Sequence, residues 1–178
     1  MEAPDEQLML AYRDGVAGAF ETLYGRHKGR LFRFVLRSVK SRPAAEELYQ
    51  EIWIRVIEAR ERYAPQARFT TWLYTIAHNR LVDHWRQHGL STVSVDESEA
   101  IPDGRQDPAR QAEARESLLR LLKALEALPP AQREAFLLHE EAGLTAAEIA
   151  AATGTNEEAA KSRLRYALAK LKAAVEDG

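Results

Sequence analysis

The chain has 178 residues, with 25 Lys and Arg against 27 Asp and Glu, no cysteine and 46% apolar residues. That length and apolar content provide for real hydrophobic cores and exclude a chain disordered throughout, and the missing cysteines exclude disulfides, thiolate metal sites and cysteine nucleophiles together. The N-terminus, MEAPDEQLML, carries acids where an export signal carries bases, and no apolar run approaches bilayer length, so a cytoplasmic location is expected.

In chain order, a short helix is expected near Glu6 to Arg13, followed by a longer one on which Phe20, Leu23, Tyr24, Leu31, Phe34 and Val35 trace one stripe. A third helix, about Ala44 to Tyr63, turns Leu48, Ile52, Val56 and Ala59 inward and sets Glu47, Gln50, Glu51 and Ile54 on another face. A fourth follows Pro65, about Thr70 to Gln87, with Leu73, Ile76, Ala77 and Leu81 packed inward. Net charge is then +3 for residues 1–89 (14 cations, 11 acids), −4 for 90–116 (3 and 7) and −1 for 117–178 (8 and 9). The acidic middle, rich in Ser, Asp, Pro and Gly, reads as a linker.

Beyond it, Leu118, Leu121, Leu122, Leu125 and Leu128 form an amphipathic helix that stops at Pro129 and Pro130, and the next helix ends at Gly143. Thr145 with Glu148, and Thr155 with Glu158, have the spacing of capping boxes on either side of Gly154, which makes the final pair of helices a helix-turn-helix. On its second helix Leu164, Leu168, Leu171 and Val175 are expected to face a core and Ser162, Arg165, Tyr166 and Ala169 to point away. Residues 159–175 carry five cations and no acid, a basic concentration suited to duplex DNA. The expected architecture is therefore all-α: two small helical domains, 1–89 and 111–178, joined by a flexible acidic linker at 90–110.

The segment from Arg60 to Arg86 alternates Tyr63, Phe69, Trp72, Tyr74 and Trp85 with Arg60, Arg62, Arg68, Arg80 and Arg86. Rings supply stacking surfaces for unpaired bases and guanidinium groups supply phosphate attraction, while Gln66, Thr70 and Thr71 are placed to line a pocket for a flipped base. The competing reading makes Trp72 and Trp85 core anchors and Phe69 a staple at the start of the fourth helix.

With the acidic helix EELYQEIWIRV before them, FTTWLYTIAHNRLVDHWR and LPPAQREAFLLHEEAGLTAAEIAAATG followed by KSRLRYALAKL resemble the extracytoplasmic-function group of the bacterial sigma-70 family, over nearly the whole chain. The resemblance implies a non-enzymatic RNA polymerase sigma factor, without catalytic residues or cofactor, that directs core polymerase to promoters and helps open the minus 10 DNA. It implies that Glu47, Gln50, Glu51 and Trp53 meet core polymerase. Arg62, Arg68, Phe69, Thr70, Thr71, Trp72, Asn79 and Arg80 would read minus 10 DNA. His139, Lys161, Ser162, Arg165 and Tyr166 would touch the minus 35 duplex, His139 replacing the usual arginine.

Two departures stand out. The recognition helix begins with Asn156, Glu157, Glu158 and Ala159, bringing two carboxylates near phosphate, and an aspartate usual ahead of the clamp-binding helix is replaced around Arg42 to Ala45. The second suggests weak core binding helped by an activating partner or a modification that restores negative charge near Ala45; an anti-sigma factor is a further expected partner. The rival to a sigma factor is a helix-turn-helix repressor acting without polymerase. His84 and His88, four residues apart, lack the glutamate and third ligand of a zinc site.

Overall fold

The computed structural model describes residues 2–88 and 107–177, and among these the regular elements are α-helices and one 3-10 turn. Most of the expected linker at 90–110 lies outside the described residues. Its end differs from expectation: α5 begins at Pro108, because the Asp107 carboxylate accepts the Ala109 N–H and Pro108 suits a first helical turn.

Helix α1 (Asp5–Arg13) opens with Asp5 and Glu6 and closes with Arg13, the order that the helix dipole favours. Helix α2 (Ala17–Val39) ends on Lys40 in the left-handed region, φ 59°. Helix α3 (Arg42–Glu58) starts with proline in its first turn and gives way to a 3-10 turn at Arg60–Arg62, so the single helix expected to run through Tyr63 ends earlier. Helix α4 spans Phe69–His88. Leu23, Leu31, Phe34, Leu48, Ile52, Val56, Leu73 and Leu81 are buried as their spacing requires, each such side chain contributing roughly 1.5–3 kcal/mol. Tyr24, placed in the same stripe, is 37% exposed.

The second bundle comprises α5 (Pro108–Ala127), α6 (Pro130–Glu140), α7 (Ala146–Thr153) and α8 (Glu157–Glu176). Thr145 and Glu148 close the expected capping box, and Gly154 takes the left-handed conformation (φ 71°) that the turn into α8 requires. The second box does not form: Asn156, one residue later than Thr155, caps α8 by accepting the Ala159 N–H at 2.8 Å. The inward stripe of α8 is also rotated from expectation. Ala160, Ala167 and Leu171 are buried with Leu164 packed beside them, whereas Leu168 is 46% and Val175 39% exposed. Small residues occupy the line of contact because α8 is packed closely by α5, α6 and α7 on one side.

The two bundles dock on each other, α4 against α7 and α2 against α6, and their buried residues form one continuous cluster. Buried Arg133 of α6 donates to the carbonyls of Ser38 and Leu128, at 3.3 and 3.2 Å. Lys40 Nζ reaches the Glu126 carbonyl at 2.8 Å, Arg33 pairs with Glu141 at 3.1 Å, and His78 Nδ1 meets the buried Glu134 carboxylate.

Candidate nucleic-acid interface

Helices α3 and α4 lie side by side, and residues spaced at three and four along each line a groove between them. Arg55, Glu58, Ala59 and Arg62 from the α3 side face Ile76 and Asn79 from α4 around a hollow of about 350 Å³. Glu51, Ile54 and Arg80 join Arg55 and Glu58 around a second hollow of about 240 Å³. Two exposed predicted residues, Arg62 and Asn79, thus come together. The Arg55, Glu58 and Ile76 walls were missed in the sequence, although Ile76–Asn79 and Arg55–Glu58 are i,i+3 pairs that helical spacing places on one face. A cavity with two guanidinium groups, one carboxylate, a carboxamide and an apolar side wall offers hydrogen bonds to base edges, and its surplus of one positive charge attracts a backbone phosphate.

The other predicted minus 10 residues divide. Phe69 is fully buried, tilted against Trp72 (ring centroids 5.8 Å apart) and near His27 (5.2 Å), so it serves as a packing anchor and presents no stacking surface. Tyr63 is buried too; burial, then the Glu6 and Asp5 carboxylates, push its phenol up to about 12. Trp72 is half-buried, edge-on to Tyr63 at 5.0 Å. Arg80 is held between the Glu51 and Asp83 carboxylates with its side chain 13% exposed, so it brackets α3 to α4 and is not a free cation. The loop 64–68 between Tyr63 and Phe69 is exposed.

At the start of α4 the second bundle intrudes. The Glu148 carboxylate, already part of the α7 capping box, accepts from the buried Thr71 hydroxyl at 2.9 Å and from Arg68 Nη1 at 3.2 and 3.3 Å. Burial alone raises the Glu148 carboxyl, but the Thr145 N–H, the Thr71 and Thr145 hydroxyls and the Arg68 charge outweigh it and hold the group below its ordinary value. Thr71 and Arg68, expected to face DNA, are therefore engaged by a carboxylate of the same chain. Thr70 is half-buried beside them.

On α3, Glu47 and Gln50 are exposed and Ile54 is 52% exposed, whereas Glu51 is half-buried in its pair with Arg80. Trp53 does not share that face: it is 6% exposed, packed edge-on against Phe20 (5.9 Å), Tyr24 (5.1 Å) and Tyr49 (6.3 Å). An indole of that area gains more from aromatic packing than from solvent exposure, which overrides its helical position one residue from the acidic face.

On α8, Lys161 and Arg165 are exposed, Ser162 is half-buried and Tyr166 is 53% exposed, with the Arg165 guanidinium 5.5 Å from the Tyr166 ring centre. Lys161 lies 3.4 Å from Glu157 and 3.7 Å from Glu158, and the Glu157 hydrogen bond, followed by the two negative charges, raises its pKa. His139 uses Nδ1 to donate to the Leu144 carbonyl at 3.1 Å, bracing the turn between α6 and α7. The His84 and His88 rings stack at 4.6 Å, and no third acid or histidine joins them in a metal-holding group among the described residues.

The family model for sigma-70 region 2 matches residues 23–90, and that for sigma-70 region 4 matches residues 118–171. The RNA polymerase sigma factor CarQ of Myxococcus xanthus is 37% identical over 166 residues, spanning 92% of this chain and 93% of CarQ. Among solved structures, CnrH in complex with the cytosolic domain of CnrY superposes with a TM-score of 0.71 at 24% identity, covering 97% of each chain. The sigma factor RpoE of Bartonella quintana, solved with the anti-sigma factor NepR, gives 0.71 at 22% identity over 88% of this chain and 96% of its own. At these identities the two structures speak for the all-helical fold.

Proposed function

The chain belongs to the extracytoplasmic-function group of the sigma-70 family and acts as an RNA polymerase sigma factor, and we propose how its two bundles divide that work. The first bundle, α1 to α4, holds core polymerase with the exposed Glu47, Gln50 and Ile54 face of α3, a carboxylate-bearing surface with an apolar centre suited to a basic partner helix. It takes an unstacked minus 10 base into the groove between α3 and α4. There the Asn79 carboxamide reads a base edge while Arg62 and Arg55 attract the adjoining phosphates. Trp72, half-exposed at the mouth of the preceding loop, supplies the stacking surface in place of buried Phe69.

The second bundle reads the minus 35 duplex. Arg165 and Tyr166 project from α8 to base edges, and Lys161 and Ser162 meet phosphate. A repressor acting without polymerase has no use for a single-strand groove, and sigma-70 membership removes that rival.

The observation that carries this division is the groove, which gathers Arg55 of α3, Arg62 of the 3-10 turn and Asn79 of α4 into one hollow. Mixed with core polymerase, the protein should prefer fork-junction DNA with an exposed non-template strand over intact duplex, and Asn79→Ala should remove that preference while leaving duplex binding intact. Equal affinity of the wild-type complex for both probes would defeat the proposal.

An anti-sigma factor that competes with polymerase is a partner that the family suggests. Ala45 is fully buried, so a partner or modification supplying the negative charge missing from the first turn of α3 acts on the exposed Arg42, Pro43 and Glu46 around it.

A further inference from the structure

Helix α4 begins at Phe69. Arg68 precedes it, and an arginine side chain has no oxygen with which to accept the free N–H groups of a first turn. The acceptor comes instead from α1: Phe69 N–H donates to Glu6 Oε1 at 2.9 Å, across 63 residues of chain. At the other end of the same loop, Arg13 Nη1 donates to the Tyr63 carbonyl at 3.3 Å. Glu6 sits in the first turn of α1 and Arg13 in its last, so one short helix holds both ends of the exposed loop 64–68.

The helix is itself moored. Asp5 pairs with Arg26 at 2.9 Å and with His27 at 2.8 Å, Met9 is fully buried, and Tyr12 lies under the Arg60 guanidinium (5.5 Å) and beside Phe20 (5.0 Å). These contacts connect α1 to the 3-10 turn through Arg60 and to the α4 start through His27, which tilts against Phe69.

We infer that Glu6 and Arg13 are positioning residues for minus 10 recognition: through the Phe69 N–H and the Tyr63 carbonyl they set the loop that joins the groove residue Arg62 to Trp72. This rests on the reading of α3 and α4 as the single-strand site. Neither residue touches DNA in that arrangement; each acts on the backbone at one end of the loop. Holding an extruded base needs Arg62 and Trp72, on either side of that loop, to be set before the strand arrives, because ordering them on arrival lowers affinity and blurs discrimination.

The test uses the full chain assembled with core polymerase and a fork-junction probe whose exposed non-template overhang is randomised; the bound fraction is sequenced. Glu6→Ala and Arg13→Ala should each flatten the base preference in the overhang by roughly fivefold, the size expected for losing one helix cap or its equivalent. Glu6→Gln, which keeps an acceptor oxygen at the same reach, should restore most of the preference, and Arg13→Lys part of it. Binding to intact minus 35 duplex and to core polymerase should stay near wild type. Alanine variants with the wild-type base preference would overturn the inference, as would losses in core binding and thermal midpoint that match the loss in DNA selection, since those would mark a role in stability alone. A wild-type complex that selects no sequence in the overhang would instead remove the single-strand reading on which the inference stands.

Discussion

Glu148 allows a direct test of the docking between the bundles. Its carboxylate serves two masters, the α7 capping box and the Thr71 hydroxyl, with Arg68 as a third contact. Glu148→Gln keeps the capping box, which tolerates Gln, and removes only the charge. A hydrogen bond to a charged group is worth about 1.5–3 kcal/mol against about 1 for a neutral one. The Arg68 side chain is 58% exposed, so screening limits that pair to less than about 1 kcal/mol. The expected loss on Glu148→Gln is therefore about 1–2 kcal/mol in urea unfolding, rising to about 2–3 kcal/mol for Glu148→Ala, which also removes the acceptor of the Thr145 N–H while the Thr145 hydroxyl keeps its bond from the residue 148 N–H.

The same experiment carries a pH signature. Glu148 is held below its ordinary value of 4.5 in the folded chain, so the stability it contributes is fully present above that value and fades as pH falls through the depressed one. The difference between wild type and Glu148→Gln should be constant around neutrality and shrink in acid. A double-mutant cycle of Glu148→Ala with Thr71→Val isolates the cross-bundle bond and should return a coupling of about 1–2 kcal/mol. Coupling within about 0.3 kcal/mol of zero would show that the carboxylate and hydroxyl do not meet in solution, and the docked arrangement would fall with it.

Other substitutions probe other parts of the molecule. Glu157→Gln with Glu158→Gln should free Lys161 for phosphate, strengthening minus 35 duplex binding and steepening its salt dependence by about one unit of log K per log salt; an unchanged slope would show that Lys161 does not approach the backbone. Arg62→Ala should weaken fork-junction binding several-fold and leave the isolated minus 35 duplex unaffected, measured by filter binding with core polymerase present. Leu138→Ala, at a fully buried position of α6, should cost about 2–5 kcal/mol in chemical unfolding, and a cost below about 1 kcal/mol would contradict the packing of the second bundle.

What the sequence determined by itself was local. Apolar residues at helical spacing, prolines in first turns, the Thr145–Glu148 box and the Gly154 turn act within a few residues of one another, so the helix-turn-helix and most of the α3 and α4 inward stripes were legible without any tertiary knowledge. Where neighbours competed, spacing misjudged the outcome: Asn156 displaced Thr155 as a cap, alanines rather than Leu168 and Val175 met α5 and α6, and Trp53 turned into an aromatic cluster assembled from α2 and α3.

Only the tertiary structure decided which predicted contacts are accessible. Phe69 disappeared into the core, Arg80 was neutralised by Glu51 and Asp83, and Thr71 found Glu148 77 residues away, while Glu6 capped a helix 63 residues downstream. No periodicity records such pairings, because a hydrogen bond between distant residues depends on how whole helices pack, and packing is settled by the summed burial of many side chains rather than by the two groups that finally meet.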